Sequence, residues 1–363
     1  MARGARPVRS TWPSLTMRLV TKVLATEPKL MADEEAFRSA YLGREYPRPA
    51  PVPAALKVAA RVSRSTFQGR DVFTVTPRDA GSPWQVLYLH GGGYVDELLP
   101  VHWEIILQLV RHIGATVTVP LYPLAPEHDH RVGNDHVAAF YRDLVGRVDP
   151  ARLVLMGDSA GGGMSLVQAM RARDAGLPLP ARVVLFAPWV NVLPVNPEIA
   201  AIEPRDPVLA VPGGSLAGRW WAGADDPRDP DISPLFGDLA GLPPIDIFQG
   251  TADILWPDSL LIAERIGEVG GVVNLYEYDD AIHVFVAATF TPEARAAYAQ
   301  IAAALDSPQV SIGRGTQVVT NPSVMFSRAL ATRLVERSTP WINHMGARAR
   351  VELASRRARL PWP

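Results

Sequence analysis

The segment that decides the fold is RLVLMGDSAGGG, residues 152–163. Its first five residues form a short apolar run, which is typical of a buried strand in a parallel sheet. Small residues follow, and apolar residues then recur at helical spacing from Met164 to Met170, until Gly176 and Pro178 end the pattern. The segment therefore predicts a strand, a sharp turn and a helix, with Ser159 at the turn.

GDSAG within this segment fits G-x-S-x-G, a pattern in which the serine stands on a strained strand-to-helix turn with its hydroxyl exposed. In such a turn the amide of Ala160 points, with the helix N-terminus, at an oxyanion that forms on a substrate. A serine that only caps the helix is the alternative. We predict that Ser159 is a nucleophile.

A second glycine-bearing string, HGGGY at residues 90–94, follows the apolar run of residues 84–89. Side chains at this point would keep a ligand away from main-chain N–H groups, and an HGGG-type loop forms part of the oxyanion hole in some hydrolases. Gly92 and Gly93 are therefore predicted donors, while Gly91 supplies the turn and His90 braces the loop. The alternative is a glycine-rich turn without a functional role.

Chain order predicts the base, because the acid and the histidine follow the serine in this arrangement. Of the eight histidines, only His283 and His344 lie far enough beyond Ser159, and His344 belongs to a basic tail. His283 follows a strand-like run at residues 272–278, so it would lie over the carboxyl edge of the sheet, where open α/β sheets bind ligands. We predict His283 as the base; a histidine held by core contacts is the alternative.

Asp253 is the predicted acid, because residues 245–249 read as a strand and residues 250–253 turn off its carboxyl end. The other acids of this region fit a strand interior, a first helical turn or a turn very close to His283: Asp246, Asp258, Asp279 and Asp280. Asp280 is the second choice.

The two strings resemble the hallmark pair HGGG and GDSAG of the bacterial hormone-sensitive-lipase-like esterases. The resemblance extends over residues 40–305 and includes LYPLAPEH at residues 121–128, close to the group's YRLAPEH, and DISPL at residues 231–235. Pro123 stands where arginine is usual, which removes an ion-pair partner near Glu127. Within this group, the sequence around Tyr94 and Trp103 most resembles that of the acetyl-hydrolases and steryl-deacetylases.

This resemblance implies an α/β-hydrolase fold, with a mostly parallel central sheet flanked by helices and a helical cap. It also implies a catalytic triad of Ser159, Asp253 and His283, and an oxyanion hole formed by Gly92, Gly93 and Ala160.

The residue types predict a serine carboxylesterase or deacetylase that acts on short- to medium-chain acyl esters through an acyl-enzyme, without metal or organic cofactor. A lipase for longer acyl or steryl esters is one alternative. A non-catalytic receptor for a small molecule on the same fold is another, although the presence of His283 favours the enzyme. The natural ester is not predicted, because fold and triad do not set the shape of a pocket.

The composition of the chain excludes several classes of protein function. The chain has 363 residues, 48% of them hydrophobic, which is enough for a sizeable core. A net charge of −1 argues against nucleic-acid binding, and the lack of cysteine excludes disulfides and thiolate metal sites. No run of 18 apolar residues occurs, and Arg18 and Lys22 interrupt the N-terminal apolar stretch. We therefore expect no transmembrane helix, no secretory signal and a cytoplasmic location.

Four parts are predicted along the chain. Residues 1–53 hold two amphipathic helices and a proline-rich linker, and by resemblance the helices cap the site. Residues 54–305 form the catalytic domain, with a second cap element at residues 191–229. Residues 306–363 form a basic extension. The predicted apolar faces of the two helices are Leu15, Met17, Leu19, Val23 and Leu24, and Ala36, Phe37, Ala40 and Tyr41.

Three aromatic residues are predicted to bind substrate: Tyr94 beside the glycines, and Trp220 and Trp221 in the second cap element. The tryptophans fit an acyl chain or ring at the mouth of the site, and they fit packing against the other cap helix equally well.

The stretch from Pro308 to Pro363 carries nine arginines and two glutamates, a net charge of +7. Phe326, Leu330 and Leu334 recur at every fourth residue among arginines, as in helices that lie on anionic membranes. Docking on the acidic body of the protein, or a contact in a homodimer, explains the pattern equally well.

Overall fold

A single sheet of nine strands organises the computed structural model, which describes residues 8–10, 12–79 and 81–306. The strands are β1 (Val8–Ser10), β2 (Ala60–Phe67), β3 (Arg70–Pro77), β4 (Gln85–Leu89), β5 (Thr116–Pro120), β6 (Leu153–Asp158), β7 (Arg182–Phe186), β8 (Ile245–Gly250) and β9 (Val273–Tyr278).

The spatial order of the strands is β1-β9-β8-β7-β6-β4-β5-β3-β2. Strand β3 pairs antiparallel with both β2 and β5, and every other pair in this sheet is parallel. Because parallel neighbours end at the same edge, the turns after β4, β6, β8 and β9 all lie at the carboxyl edge of the sheet.

The helices are α1 (Leu15–Leu24), α2 (Glu34–Tyr41), α3 (Ala54–Ala59), α4 (Pro100–Ile113), α5 (His130–Val145), α6 (Ser159–Asp174), α7 (Ile199–Ile202), α8 (Val211–Ala222), α9 (Trp256–Glu268) and α10 (Pro292–Asp306). The sequence prediction of an α/β-hydrolase fold is confirmed.

Both faces of the sheet are buried, which explains why its central strands are apolar without alternation. In β6, Leu153 and Leu155 belong to one core and Val154 and Met156 to the core on the opposite face. A rigid sheet covered on both sides holds the turns at its carboxyl edge in fixed positions.

The N-terminal helices pack on this body through faces that differ in part from the predicted ones. Helix α1 buries Met17, Val20 and Leu24, whereas Leu15 is 80% exposed and Leu19 is 40% exposed. Ser14 caps the helix by accepting from the amide of Met17. Ser14 also bonds the carboxylate of Glu293 in α10, at 2.6 Å through its amide and 2.9 Å through its hydroxyl.

Helices α7 and α8 lie within residues 191–229, and α8 packs against α2. We call residues 12–46 and 191–229 the two cap segments. In the part of the chain with a described fold, none of the helices has the length and apolar character that a bilayer span requires. The predicted basic extension lies outside the described residues, apart from Asp306.

Candidate active site

Ser159 lies on a backbone turn that few residues other than glycine adopt. It is the first residue of α6, directly after β6, and its φ angle is +52°. Such a conformation is strained for serine and is the geometry of a nucleophile on a strand-to-helix turn. The flanking glycines permit it: a Cβ on Gly157 would overlap the carbonyl of Gly161, and a Cβ on Gly161 would overlap the carbonyl of Leu89.

The imidazole of His283 lies between Ser159 and Asp253. Its Nε2 is 3.0 Å from the Oγ of Ser159, and its Nδ1 is 2.8 Å from Oδ2 of Asp253. All three side chains are buried, and Asp253 is fully so. The structure thus brings the three predicted residues together, although 124 residues separate the serine from the histidine in sequence.

Asp253 is held by donors on both carboxylate oxygens. We call residues 250–255, which follow β8, the acid loop. Oδ1 accepts from the amide of Leu255 at 2.8 Å, and Oδ2 accepts from Nε2 of Gln249 at 2.9 Å as well as from His283. The acid loop and Gln249 thus supply hydrogen-bond partners to both oxygens of this buried carboxylate.

Asp280, the second choice for the acid, points away from the imidazole. Its side chain is 59% exposed and lies 3.4 Å from Arg205, while its amide donates to the hydroxyl of Thr251.

Two opposing effects act on the pKa of His283. Burial lowers the pKa, but the charge and hydrogen bond of Asp253, together with the charges of Asp206 and Asp158, outweigh burial and raise it. A neutral imidazole with Nδ1–H donated to Asp253 has its Nε2 lone pair free to accept the proton of Ser159.

Residues 90–97, here called the glycine loop, are fastened to the serine turn by Asp158. Its Oδ1 accepts from the amide of Gly91 at 3.0 Å and from the hydroxyl of Tyr88 at 2.5 Å. Nε2 of His102 lies 3.3 Å from Oδ2. Burial raises the pKa of Asp158, but His102, Tyr88 and Gly91 outweigh burial and lower it. A Cβ on Gly91 would overlap this carboxylate, which explains the glycine there.

Gly92 and Gly93 have φ angles of +111° and +62°, so both occupy backbone conformations that favour glycine. The turn of the loop is closed by the amides of Val95 and Asp96, which donate to the carbonyl of Gly92 at 3.0 and 2.9 Å. Gly92 and Gly93 line the cavity that contains Ser159. Ala160 follows Ser159 at the N-terminus of α6, where helix amides lack acceptors within the helix.

His90 is fully buried under the glycine loop. Its Nδ1 donates to the carbonyl of Gly91 at 2.8 Å, and its ring stacks on Tyr122 at 4.5 Å. Burial lowers its pKa to about 3, so the ring stays neutral. This geometry fits a structural role in which His90 supports the glycine loop.

A cavity of about 260 Å³ opens beside Ser159 and His283. Both cap segments and the glycine loop contribute to its wall, which is mainly apolar. Apolar side chains of its wall include Leu24, Met31, Phe37, Trp189, Leu209 and Leu255.

The three aromatic residues predicted to bind substrate do not line this cavity. Tyr94 stacks on Trp221 at 4.1 Å, with the two rings 2° from parallel, and both are almost fully buried. Trp220 stacks on Phe37 of α2 at 5.9 Å. These rings join the cap segments to each other and to the body, and direct contact of Tyr94, Trp220 and Trp221 with substrate stays a prediction.

Sequence reasoning missed three residues that shape the site: His102, Lys29 and Asp206. Nζ of Lys29 donates to the carbonyls of Asp206 and Leu209, both at 2.9 Å. A proline directly after Asp206 marks a turn, but no local pattern indicates that its carboxylate reaches the acid loop. Residues 8–10, 12–79 and 81–306 contain no group of three or more His, Asp and Glu side chains arranged for a metal ion.

Comparison with known proteins adds independent findings. LipR of Mycobacterium tuberculosis H37Rv is 34% identical over 250 residues, 68% of this chain and 80% of LipR. An acetyl-hydrolase of Streptomyces hygroscopicus is 33% identical over 202 residues, 55% of this chain and 67% of that protein. The crystal structure of an esterase from the bacterial hormone-sensitive lipase family matches with a TM-score of 0.69 at 27% identity, covering 81% of this chain and 98% of the other.

The model of the α/β-hydrolase fold family matches residues 86–287, more than half of the chain. That range contains the glycine loop, the serine turn, the acid loop and His283. The resemblance to hormone-sensitive-lipase-like esterases seen in HGGG and GDSAG is confirmed, and this chain belongs to the α/β-hydrolase fold family.

Proposed function

We propose that this protein is a serine carboxylesterase that hydrolyses esters of short- and medium-chain acids through an acyl-enzyme. The observation that carries the proposal is the continuous path of hydrogen bonds from Ser159 through His283 to Asp253. The names of its relatives, an acetyl-hydrolase and an esterase, agree with it.

Acylation begins when Oγ of Ser159 attacks the ester carbonyl. The hydroxyl is a weak nucleophile at its ordinary pKa, so Nε2 of His283 takes the proton as the bond forms. Asp253 holds the ring in the required tautomer and stabilises the imidazolium. The same imidazolium then protonates the leaving alcohol, and the acyl group stays on Ser159.

The negative charge of the tetrahedral intermediate falls on the former carbonyl oxygen. We assign its stabilisation to the amides of Gly92, Gly93 and Ala160, each worth about 3 kcal/mol in the barrier. Asp158 supports this role because it joins the glycine loop to the serine turn through the amide of Gly91. Deacylation repeats the cycle, with water activated by His283 in place of Ser159.

The size of the cavity favours short acyl chains. Its volume of about 260 Å³ is below the range of about 300–1,000 Å³ that is usual for drug-sized ligands. Its apolar wall suits an alkyl chain, and no further charge is needed to hold a neutral ester. Longer acyl or steryl esters would require the cap segments to move apart.

We further propose that residues 1–53 and 191–229 act as a cap over a catalytic body formed by residues 54–305. Both segments contribute side chains to the cavity wall, which supports this division. A non-catalytic receptor on this fold has no use for an aligned base, so the contact between His283 and Ser159 favours the enzyme.

For the basic extension, residues 306–363, we propose contact with an anionic membrane surface close to apolar esters. Its net charge is the support, since each arginine near such a surface contributes about 1 kcal/mol and salt screens the attraction. The full chain should sediment with anionic vesicles at low salt, and a chain that ends after Ser307 should not. Equal binding by both would overturn the proposal, and gel filtration of the two forms tests a homodimer contact instead.

A panel of chromogenic esters from acetyl to palmitoyl tests the proposed activity. We expect kcat/KM to be highest on acetyl or butyryl esters and to fall with longer chains. A higher kcat/KM on palmitoyl esters would reject the assigned chain length. Absence of hydrolysis and of labelling by a fluorophosphonate probe would reject the enzyme altogether.

A further inference from the structure

Asp206 is a buried carboxylate that the second cap segment inserts beside the acid loop. Its side chain is 2% exposed. Oδ1 accepts from the amides of Val208 and Leu209, at 2.8 and 2.9 Å, and Oδ2 accepts from the amide of Ile254 at 2.9 Å. Ile254 directly follows Asp253, so this carboxylate spans from the cap to the backbone next to the proposed catalytic acid.

Two carboxylates therefore share the backbone of the acid loop. The amide of Ile254 donates to Asp206, and the next amide, that of Leu255, donates to Asp253. Loss of either bond would leave a buried N–H without its acceptor, at a cost of about 1–3 kcal/mol. The backbone next to Asp253 is thus held by a contact from the second cap segment.

The other cap segment fastens the same place. Lys29 donates to the carbonyls of Asp206 and Leu209, both at 2.9 Å. The backbone of Asp206 is therefore fixed by the first cap segment while its carboxylate fixes the acid loop.

We propose that Asp206 is a positioning residue for the proposed triad, which holds the acid loop in place and adds a second negative charge next to the Asp253 and His283 pair. This inference rests on the proposed roles of Asp253 and His283.

The charges around His283 support the proposal that Asp206 adds negative charge next to the Asp253 and His283 pair. Burial and the charge of Asp253 raise the pKa of Asp206, while the charge of His283 and the amides of Leu209 and Ile254 lower it. The charges that raise the pKa of His283 against the effect of burial are those of Asp253, Asp206 and Asp158. The ammonium of Lys29 faces the main-chain carbonyls of Asp206 and Leu209 in the second cap segment.

Replacement of Asp206 by asparagine changes both features. An amide keeps one oxygen as an acceptor, but its NH₂ group would face an N–H at the other position, and the charge is lost. With less negative charge nearby, the pKa of His283 falls. The acidic limb of kcat/KM reports the base in the free enzyme, so it should move to lower pH. We expect a shift of about 0.5–1 pH unit, less than the 1–3 units that a directly contacting charge produces.

Asp258→Asn is the matched control. Asp258 is also a buried acid that joins the second cap segment to the body, since Oδ1 accepts from Nδ2 of Asn196 at 2.9 Å. Its charge is not among the leading causes of the raised pKa of His283. This variant should leave the acidic limb in place even where it lowers Tm.

Two further measurements apply if Asp206→Asn has too little activity for a pH profile. Asp206→Glu keeps the charge and should return the limb toward the wild-type position. The pH dependence of the rate of fluorophosphonate labelling reads the same base without deacylation, and Tm checks folding. An unchanged limb in Asp206→Asn, or equal shifts in Asp206→Asn and Asp258→Asn, would overturn the role of Asp206.

The proposed function fails separately. If Ser159→Ala still hydrolyses esters, the triad itself is wrong. If Ser159→Ala is inactive while Asp206→Asn keeps the wild-type limb, only the role of Asp206 is refuted.

Discussion

Replacing Asp253 by asparagine removes the charge beside His283 and keeps a side chain of nearly the same shape. Three donors converge on the carboxylate: Nδ1 of His283, Nε2 of Gln249 and the amide of Leu255. An asparagine oxygen can accept from His283 and Gln249 only if the NH₂ group faces the amide of Leu255. That amide is itself a donor, so the two groups would repel. In the opposite orientation it favours the wrong tautomer of His283, in which Nε2 carries the proton and no longer accepts one.

The magnitude follows from the pair that is lost. Two unit charges about 4 Å apart interact with about 4 kcal/mol at an effective dielectric constant of about 20. Since each 1.36 kcal/mol changes a rate about tenfold, kcat should fall about a thousandfold. The wrong tautomer in a Ser-His-Asp triad costs about 10⁴ in kcat, which sets the upper end.

The assay compares kcat on p-nitrophenyl acetate for the wild type, Asp253→Asn and Asp280→Asn, with Tm as a check on folding. Asp280 is the matched control, because it lies three residues from His283 yet is 59% exposed and pairs with Arg205. Its replacement should change kcat less than about threefold, as expected for an exposed ion pair worth about 0–1 kcal/mol. A kcat within tenfold of the wild type for folded Asp253→Asn, or a larger loss in Asp280→Asn, would refute the reasoning.

Three more outcomes are expected. Lys29→Met should lower stability by about 1–3 kcal/mol, because a charged donor to two cap carbonyls is lost; an unchanged Tm would contradict this. Gly161→Ala should lower the free energy of unfolding by about 3 kcal/mol, since its Cβ would overlap the carbonyl of Leu89. Gly267→Ala, at an exposed helical position with open space, should leave that free energy unchanged or raise it by about 1 kcal/mol. Equal Tm values for the two variants would argue against this prediction. Finally, kcat/KM should fall as the pH drops through the raised pKa of His283, because a protonated imidazole cannot accept the serine proton; a limb clearly below pH 6.5 in the pH profile would be the opposite result.

The elements around Ser159 were predictable because the information is local. An apolar run, a tight turn rich in glycine and a helical pattern occupy adjacent residues, and each element dictates the next. The same holds for Asp253, which the sequence places at the end of a strand. The structure brings Asp253 to His283 and directs Asp280 to Arg205.

Residues that act across long separations were not predictable in this way. Asp206 reaches an amide 48 residues away, and Tyr88 reaches Asp158 across 70 residues. Strand β1 pairs with β9, so residues near the start of the chain meet residues beyond Val272. No local pattern records such a partner, because the contact exists only once the sheet and the cap segments have assembled.

The aromatic residues of the cap illustrate a third limit. The sequence predicted that Tyr94, Trp220 and Trp221 bind substrate, and for the two tryptophans it left packing against the other cap helix equally open. In the structure Tyr94 stacks on Trp221, and Trp220 stacks on Phe37. Large apolar rings gain as much from burial against each other as against a ligand, so composition alone does not separate the two roles.

The most direct test of the central claim is Ser159→Ala, measured for hydrolysis of p-nitrophenyl acetate and for labelling by a fluorophosphonate probe. Oγ of Ser159 lies 3.0 Å from Nε2 of His283. We predict that the folded variant, checked by its circular dichroism and Tm, loses both hydrolysis and labelling. Undiminished hydrolysis or labelling by the folded variant would contradict the account.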